Sequence, residues 1–189
     1  MDAFWPGPLT LVVPKGEAMP FEVTGGQDSV GIRCPSHPVA IALLKATGVP
    51  VAAPSANRFG KVSPTRAAHV LAELGNRIPF ILDGEVPEVG IESTIVSLLN
   101  PQPAVLRPGA ITASQIQAVL GVAVRTHAEV SQTPNSNPRV SGALEKHYSP
   151  DAKVWVLQAS ELANLPVEQE TLCVGWSDEF LKQADALRE

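Results

Sequence analysis

PVAAPSANRFGKVSPT, residues 50–65, runs from an apolar stretch through a polar loop to a helix start. Val49 to Ala53 predicts a buried strand. Pro54 to Val62 is polar and punctuated by proline and glycine, so it predicts a loop. Ser63-Pro64 supplies a hydroxyl N-cap and a proline at the first helical position, and the helix it opens is expected to stop at Gly75. A strand-to-helix junction of this kind collects free backbone N–H groups and hydroxyls, which suits an anion and phosphate above all. Ser55, Asn57 and Ser63 could each hydrogen-bond phosphate oxygens. The same residues also read as ordinary turn chemistry with an N-cap, and neither a P-loop nor a GxGxxG pattern accompanies them.

Outward from this junction the pattern stays α/β. Leu9 to Val13 and Val30 to Arg33 predict strands, the second ended by Cys34-Pro35. Pro38 to Thr47 predicts an apolar helix with Gly48 as its left-handed C-cap. Ile78 to Leu82 predicts a strand ahead of Asp83-Gly84. Ile91 to Leu99 and Ala104 to Leu106 predict paired strands, and Thr112 with Gln115 forms a capping box for a helix to Leu120, stopped by Gly121. From Arg125 to about Val140 the sequence turns polar, rich in Ser, Asn and Pro, and reads as a linker. Beyond it, 153–157 and 171–174 predict strands and 160–165 and 177–187 predict helices, the opening of a doubly wound sheet. So few strands are not stable alone, so further chain is expected at both ends.

Composition narrows the classes. Eighteen of the 189 residues are proline, about twice the usual share, which implies many fixed turns. The 44% hydrophobic content excludes a disordered chain. A net charge of −5 weighs against a general nucleic-acid surface but not against a nucleotide substrate. The two cysteines, Cys34 and Cys173, make no CxxC pair, so neither a disulfide framework nor a Cys-rich zinc site is expected. No apolar run reaches membrane-helix length and the acidic, proline-broken N-terminus is not a signal peptide.

Other residues could carry chemistry. Arg33 and Arg107 each follow a predicted strand, where a guanidinium can clamp a carboxylate or phosphate; taken alone, each reads first as half of a surface ion pair. Glu92-Ser93-Thr94 interrupts an apolar run, either as half-exposed strand positions or as a polar spot lining a pocket. His37, His69, His127 and His147 lack metal-ligand spacing, so no metal site is expected, and neither a Ser-His-Asp arrangement nor a GxSxG elbow can be argued. His147-Tyr148, at the end of a polar tether, invites docking on something.

Taken together, FWPGPLTLVV (4–13), VGIRCPSHP (30–38), PVAAPSANRFGKVSPT (50–65), DGEVPEVGIESTIV (83–96) and LRPGAI (106–111) resemble the YrdC/TsaC family, in the family's order and spacing. The linker ending in His147-Tyr148-Ser149-Pro150 resembles the two-domain members. The resemblance implies a YrdC-like twisted mixed sheet with flanking helices over residues 1–124, a linker or lid over 125–150, and the start of a small Rossmann-like α/β domain over 151–189. It implies a nucleotidyltransferase, L-threonylcarbamoyladenylate synthase, which makes threonylcarbamoyl-AMP and pyrophosphate from L-threonine, bicarbonate and ATP with Mg²⁺, for threonylcarbamoyladenosine modification of tRNA. Carried over by position, Ser29, Ser55, Asn57, Ser63, Arg107 and Tyr148 would contact ATP, and Arg33, Ala53 and Ser93 would hold L-threonine, with Arg33 facing its carboxylate. No residue is implied as a protein nucleophile. A cytoplasmic location, tRNA-modification partner proteins and no membrane association go with that reading. The family's Lys-x-Arg element has no counterpart ahead of Trp5, so an expectation of a missing N-terminal part follows. The alternatives are an inactive fragment, an RNA-binding YrdC-like module (double-stranded RNA among its targets), and a carbamoyl-transfer role, which would call for zinc-type Cys clusters.

Overall fold

The structure, a computed structural model, describes residues 1–132 and 138–142. The chain divides into two units, 1–149 and 150–189. Everything described lies in the first, so the expected strands and helices beyond residue 150 fall outside the described residues.

Four strands form one mixed sheet in the order β2-β1-β3-β4: β1 (Leu9–Pro14), β2 (Ser29–Ile32), β3 (Thr94–Ser97) and β4 (Ala104–Arg107). β1 runs antiparallel to β2 and parallel to β3, and β3 runs antiparallel to β4. β1 and β3 take the two central positions, where both faces are covered, and β3 is buried at all four of its residues.

Side-chain alternation then builds a core on each face. Leu9, Leu11, Val96 and Val105 pack with Ile111, Ile116 and Val124 on one side, against Phe4 and Trp5. Val12, Ile95, Ala104 and Leu106 pack with Val130 on the other, against Leu99 and Val140. Each such side chain taken out of water contributes about 1.5–3 kcal/mol. Thr94 is wholly buried in this apolar setting, and its hydroxyl answers for its polarity twice: Oγ1 donates to the Ile111 carbonyl at 2.8 Å and accepts from the Ile111 amide at 3.1 Å.

Among the described residues there are five α-helices: α1 (Phe21–Thr24), α2 (Pro38–Thr47), α3 (Ala67–Leu74), α4 (Ala113–Leu120) and α5 (His127–Ser131). α2 keeps its expected bounds. Gly48 ends it at φ +66°, a conformation costly for any side chain, and His37 caps it, Nδ1 accepting from the Val39 amide. α4 carries the expected capping box between Thr112 and Gln115.

Four expectations need correction. Val49 to Ala53 and Ile78 to Leu82 form no strand and lie largely exposed. Their pattern is that of strands, but a strand exists only through a neighbour's hydrogen bonds, and among the described residues neither segment pairs with another. The helix after Ser63-Pro64 begins later, at Ala67 with Arg66 as N-cap, because Ser63 spends its hydroxyl elsewhere. The polar segment after Arg125 is not all linker. Thr126 and Glu129 close a capping box there, and Val130 pins α5 to the sheet.

Candidate functional site

The sheet face that carries Val12 and Ile95 also carries most of the predicted site. Ile32 pairs with Leu11, so Arg33, the next residue, stands level with Thr10. Ser29 lies on the same face of β2 at its other end, opposite Pro14, roughly 13 Å from Arg33 at ~3.3 Å per residue. Ser29 is buried and Arg33 exposed. Thr10 Oγ1 and Ser93 Oγ hydrogen-bond at 2.7 Å, joining β1 to the residue ahead of β3. Across β3, Arg107 pairs with Ile95 and so points to the same face.

Arg107 organises this end of the sheet. Nε donates to the Ser93 carbonyl at 3.1 Å, and Nη2 donates to the same carbonyl at 2.9 Å and to Ser93 Oγ at 3.2 Å. Nη1 donates to Glu92 Oε2 at 2.6 Å and to the Ser141 carbonyl at 2.9 Å. All five N–H groups of the guanidinium thus have acceptors. The Arg107–Glu92 ion pair is largely shielded, with side chains 11% and 18% exposed. Glu92 also reaches the loop ahead of α3: Ser63 Oγ donates to its Oε1 at 2.8 Å. Gly109 lets the chain fold back on this pair. A Cβ there would stand 2.5 Å from the Thr94 nitrogen and 2.7 Å from the Glu92 carbonyl.

The structure therefore brings Ser63, Ser93 and Arg107 into one hydrogen-bonded chain, with Arg33 level with it and Ser29 farther along the same face. Ala53 lies exposed just before the loop and Ser55 lies exposed within it. Asn57 turns inward to its own loop. Its Nδ2 donates to the carbonyls of Arg58 at 2.8 Å and Lys61 at 3.2 Å, while Oδ1 is buried without a partner. Tyr148 and His147 lie outside the described residues. Two contributors escaped the sequence reading as individual site residues, Thr10 and Glu92. Thr10 could have been noticed as the one hydroxyl in an apolar strand. Glu92 stood in a segment whose two readings were left open, and only the fold shows its carboxylate between Ser63 and Arg107.

A strap crosses this face. Arg139 is anchored near β2: Gln27 Nε2 donates to its carbonyl at 3.0 Å, its amide donates to Gln27 Oε1 at 2.7 Å, and its Nη2 donates to the Gly25 carbonyl at 3.2 Å. Val140 packs on the Val12–Ile95–Leu106 cluster. Ser141 offers its carbonyl to Arg107, and Gly142, at φ +84°, leaves only 2.9 Å between its would-be Cβ and Arg107 Cδ. The segment expected to be a tether is held across the site at residues 138–142.

Among the described residues no group of three or more His, Cys, Asp or Glu could hold a metal ion. No helix there is long and apolar enough to cross a membrane.

Comparison with known proteins bears on the family and the fold. The Sua5/YciO/YrdC family model, described as telomere recombination, matches residues 1–109. The threonylcarbamoyl-AMP synthase C-terminal domain model matches residues 111–184. The threonylcarbamoyl-AMP synthase of Pyrococcus abyssi is 42% identical over 155 residues, 82% of this chain and 45% of that protein. The Bacillus subtilis enzyme of the same name is 44% identical over 161 residues, 85% of this chain and 46% of that protein. The crystal structure of P. abyssi Sua5 complexed with L-threonine superposes with a TM-score of 0.74 at 41% identity, covering 80% of this chain and 44% of that one. The chain spans about half the length of the curated relatives it matches.

Proposed function

This chain belongs to the Sua5/YciO/YrdC family, and from that premise we propose that it carries substrate-binding elements of an L-threonylcarbamoyladenylate synthase. The reaction joins L-threonine, bicarbonate and ATP into threonylcarbamoyl-AMP with release of pyrophosphate, a nucleotidyl transfer that supplies tRNA modification in the cytoplasm. Support comes from the relatives named for this activity and from the likeness to a structure holding L-threonine. The observation that carries it is the Thr10–Ser93–Arg107 face, with Ser63 joined to it through Glu92.

The chemistry asks for placement rather than a nucleophile from the protein. The threonine amine adds to CO₂ with loss of a proton, or to bicarbonate with loss of water, and becomes a carbamate. A carbamate oxygen then attacks the α-phosphorus, and pyrophosphate leaves with the electrons of the broken P–O bond. Positioned donors and fixed charge lower such a barrier. In this reading Arg33, Ala53 and Ser93 hold threonine, with Arg33 on its carboxylate. Ser29, Ser55, Ser63, Arg107 and Tyr148 contact the nucleotide. Asn57 serves the nucleotide by shaping the loop, since its amide donors are spent on loop carbonyls. Arg107 has to release an acceptor to meet a phosphate. The Ser141 carbonyl is the exposed one of its partners, so the nucleotide would displace the strap there. Mg²⁺ would enter on the ATP phosphates, neutralising their charge.

The test is titration of the chain with MgATP, with and without L-threonine, together with an assay for threonine-dependent pyrophosphate release by the longest form of the protein. Binding of both ligands and threonine-dependent release are expected. Binding of neither ligand, or release indifferent to threonine, would overturn the reading.

A further inference from the structure

Glu92 is an acid placed where the proposed function puts a polyanion, and electrostatics alone would exclude it from such a position. Its surroundings explain why it is tolerated. One carboxylate oxygen faces Arg107 Nη1 at 2.6 Å and the other accepts from Ser63 Oγ at 2.8 Å. Those two partners come from distant parts of the chain, the loop ahead of α3 and the end of β4. No direct hydrogen bond between Ser63 and Arg107 holds them in register, and Glu92 is what spans them. The carboxylate is mostly shielded, so it exerts its hold in a poorly screened setting, where charge-assisted hydrogen bonds are strongest. Gly142 comes close to the pair itself, since a Cβ there would stand 2.9 Å from Arg107 Cδ and 3.3 Å from Glu92 Oε2, while Gly109 approaches the Glu92 backbone carbonyl.

We propose that Glu92 is the positioning residue of the nucleotide subsite: through Ser63 it ties the loop ahead of α3 to the Arg107 guanidinium, so that both stand where a phosphate group can reach them, and it does not itself touch the nucleotide; the single Ser63 O–H, donated to Glu92 here, turns to the phosphate when the nucleotide arrives. This rests on the synthase reading given above. Arg107 remains held by Ser93 through Nε and Nη2 when Glu92 is changed, so the threonine side should be spared.

The experiment is calorimetric titration of the full chain and its variants with MgATP and, separately, with L-threonine, each variant first checked by thermal unfolding. Glu92→Ala is expected to weaken MgATP about tenfold, the scale of one lost charge-assisted hydrogen bond. Glu92→Gln, which keeps an acceptor for Ser63, is expected to weaken it about threefold on the same scale. L-Threonine affinity should stay within about twofold. Ser63→Ala and Glu92→Ala together should lose less than the product of their separate losses, because Glu92 is what places Ser63. MgATP affinity unchanged or tighter in Glu92→Gln would overturn the proposal, since the acid would then only oppose the nucleotide. Equal loss of MgATP and threonine affinity, or full additivity with Ser63→Ala, would also overturn it. If Glu92→Ala does not fold, Glu92→Gln decides alone. An unmodified chain that binds neither ligand removes the synthase reading itself, and this inference with it, a result distinct from a variant that fails to differ.

Discussion

In the sheet, Thr94 is fully buried and Val96 is 1% exposed; in the segment between α2 and β3, Phe59 and Phe80 are each 85% exposed. Both regions are rich in β-branched residues. They differ in whether the backbone finds a partner. β3 is flanked by β1 and β4 and buries both faces. Residues 49–53 and 78–82 have a strand's composition and no described neighbour. Apolar composition proposes a strand, and pairing makes one.

Core truncation separates the regions most widely. Leu9→Ala empties a site that is 4% exposed in the central strand, and should lower unfolding stability by about 2–5 kcal/mol. Phe80→Ala removes a larger side chain and should change stability by less than about 0.5 kcal/mol, because there is no burial to lose. Urea denaturation of both variants checks this. A comparable loss for Phe80→Ala would mean that the exposed segment is packed in solution, and the comparison would break.

A glycine pair sharpens it further. Gly109→Ala drives a Cβ onto Thr94 and Glu92 backbone atoms that cannot swing away, and should cost about 1–3 kcal/mol. Gly16→Ala meets nothing within 4 Å and should be neutral to within about 0.5 kcal/mol. The midpoint of thermal unfolding reads both.

The same contrast explains what the sequence could convey. β1, β2, the β3–β4 pair and both ends of α2 and α4 were legible because their signals are local: alternation, a capping box, a glycine at the C-cap. The family was legible as well, because its motifs stand in order along the chain. What could not be read depends on contacts distant along the chain. Val49 to Ala53 looks the same whether or not a neighbouring strand exists. Ser63 looks like an N-cap until Glu92 claims its hydroxyl. Arg107 offered two readings, anion clamp or ion pair, and its pairing with Glu92 needed the fold to bring them together. The polar run after Arg125 hid α5 because its one anchoring side chain, Val130, makes no period.

The strap carries the comparison to residues 138–142. Gly142→Ala puts a Cβ 2.9 Å from Arg107 Cδ at a φ of +84°, so the Ser141 carbonyl should lose its place on Nη1. The expected cost is about 1 kcal/mol, the net worth of that hydrogen bond plus modest backbone strain. Limited proteolysis should then cut more readily near Gly142, with the sheet intact. An unchanged digestion pattern would show that the Arg107 contact does not hold the strap.

The smallest effect belongs to α5, and its sign follows from the acid that caps it. Thr126 donates to Glu129 through both its amide and its hydroxyl, and these bonds, with a lesser contribution from Arg125, hold the Glu129 carboxyl below the usual carboxylate range. A group whose pKa is lower in the folded chain stabilises it above its unfolded pKa, and that help fades as pH falls through the folded value. The cap should therefore be fully present at neutral pH and lost on acidification through and below the carboxylate range. Glu129 is fully exposed, so the loss should fray α5 without unfolding the sheet on which Val130 rests. Amide hydrogen exchange at Glu129 and Val130, corrected for the intrinsic pH dependence, should quicken in acid, while Val96 in β3 stays protected. Glu129→Gln should show the faster exchange already at neutral pH and respond little to acid. Equal acceleration at Val96 would mean that α5 and the sheet open together, and the boundary between local and cooperative structure would have to be moved outward to include the helix.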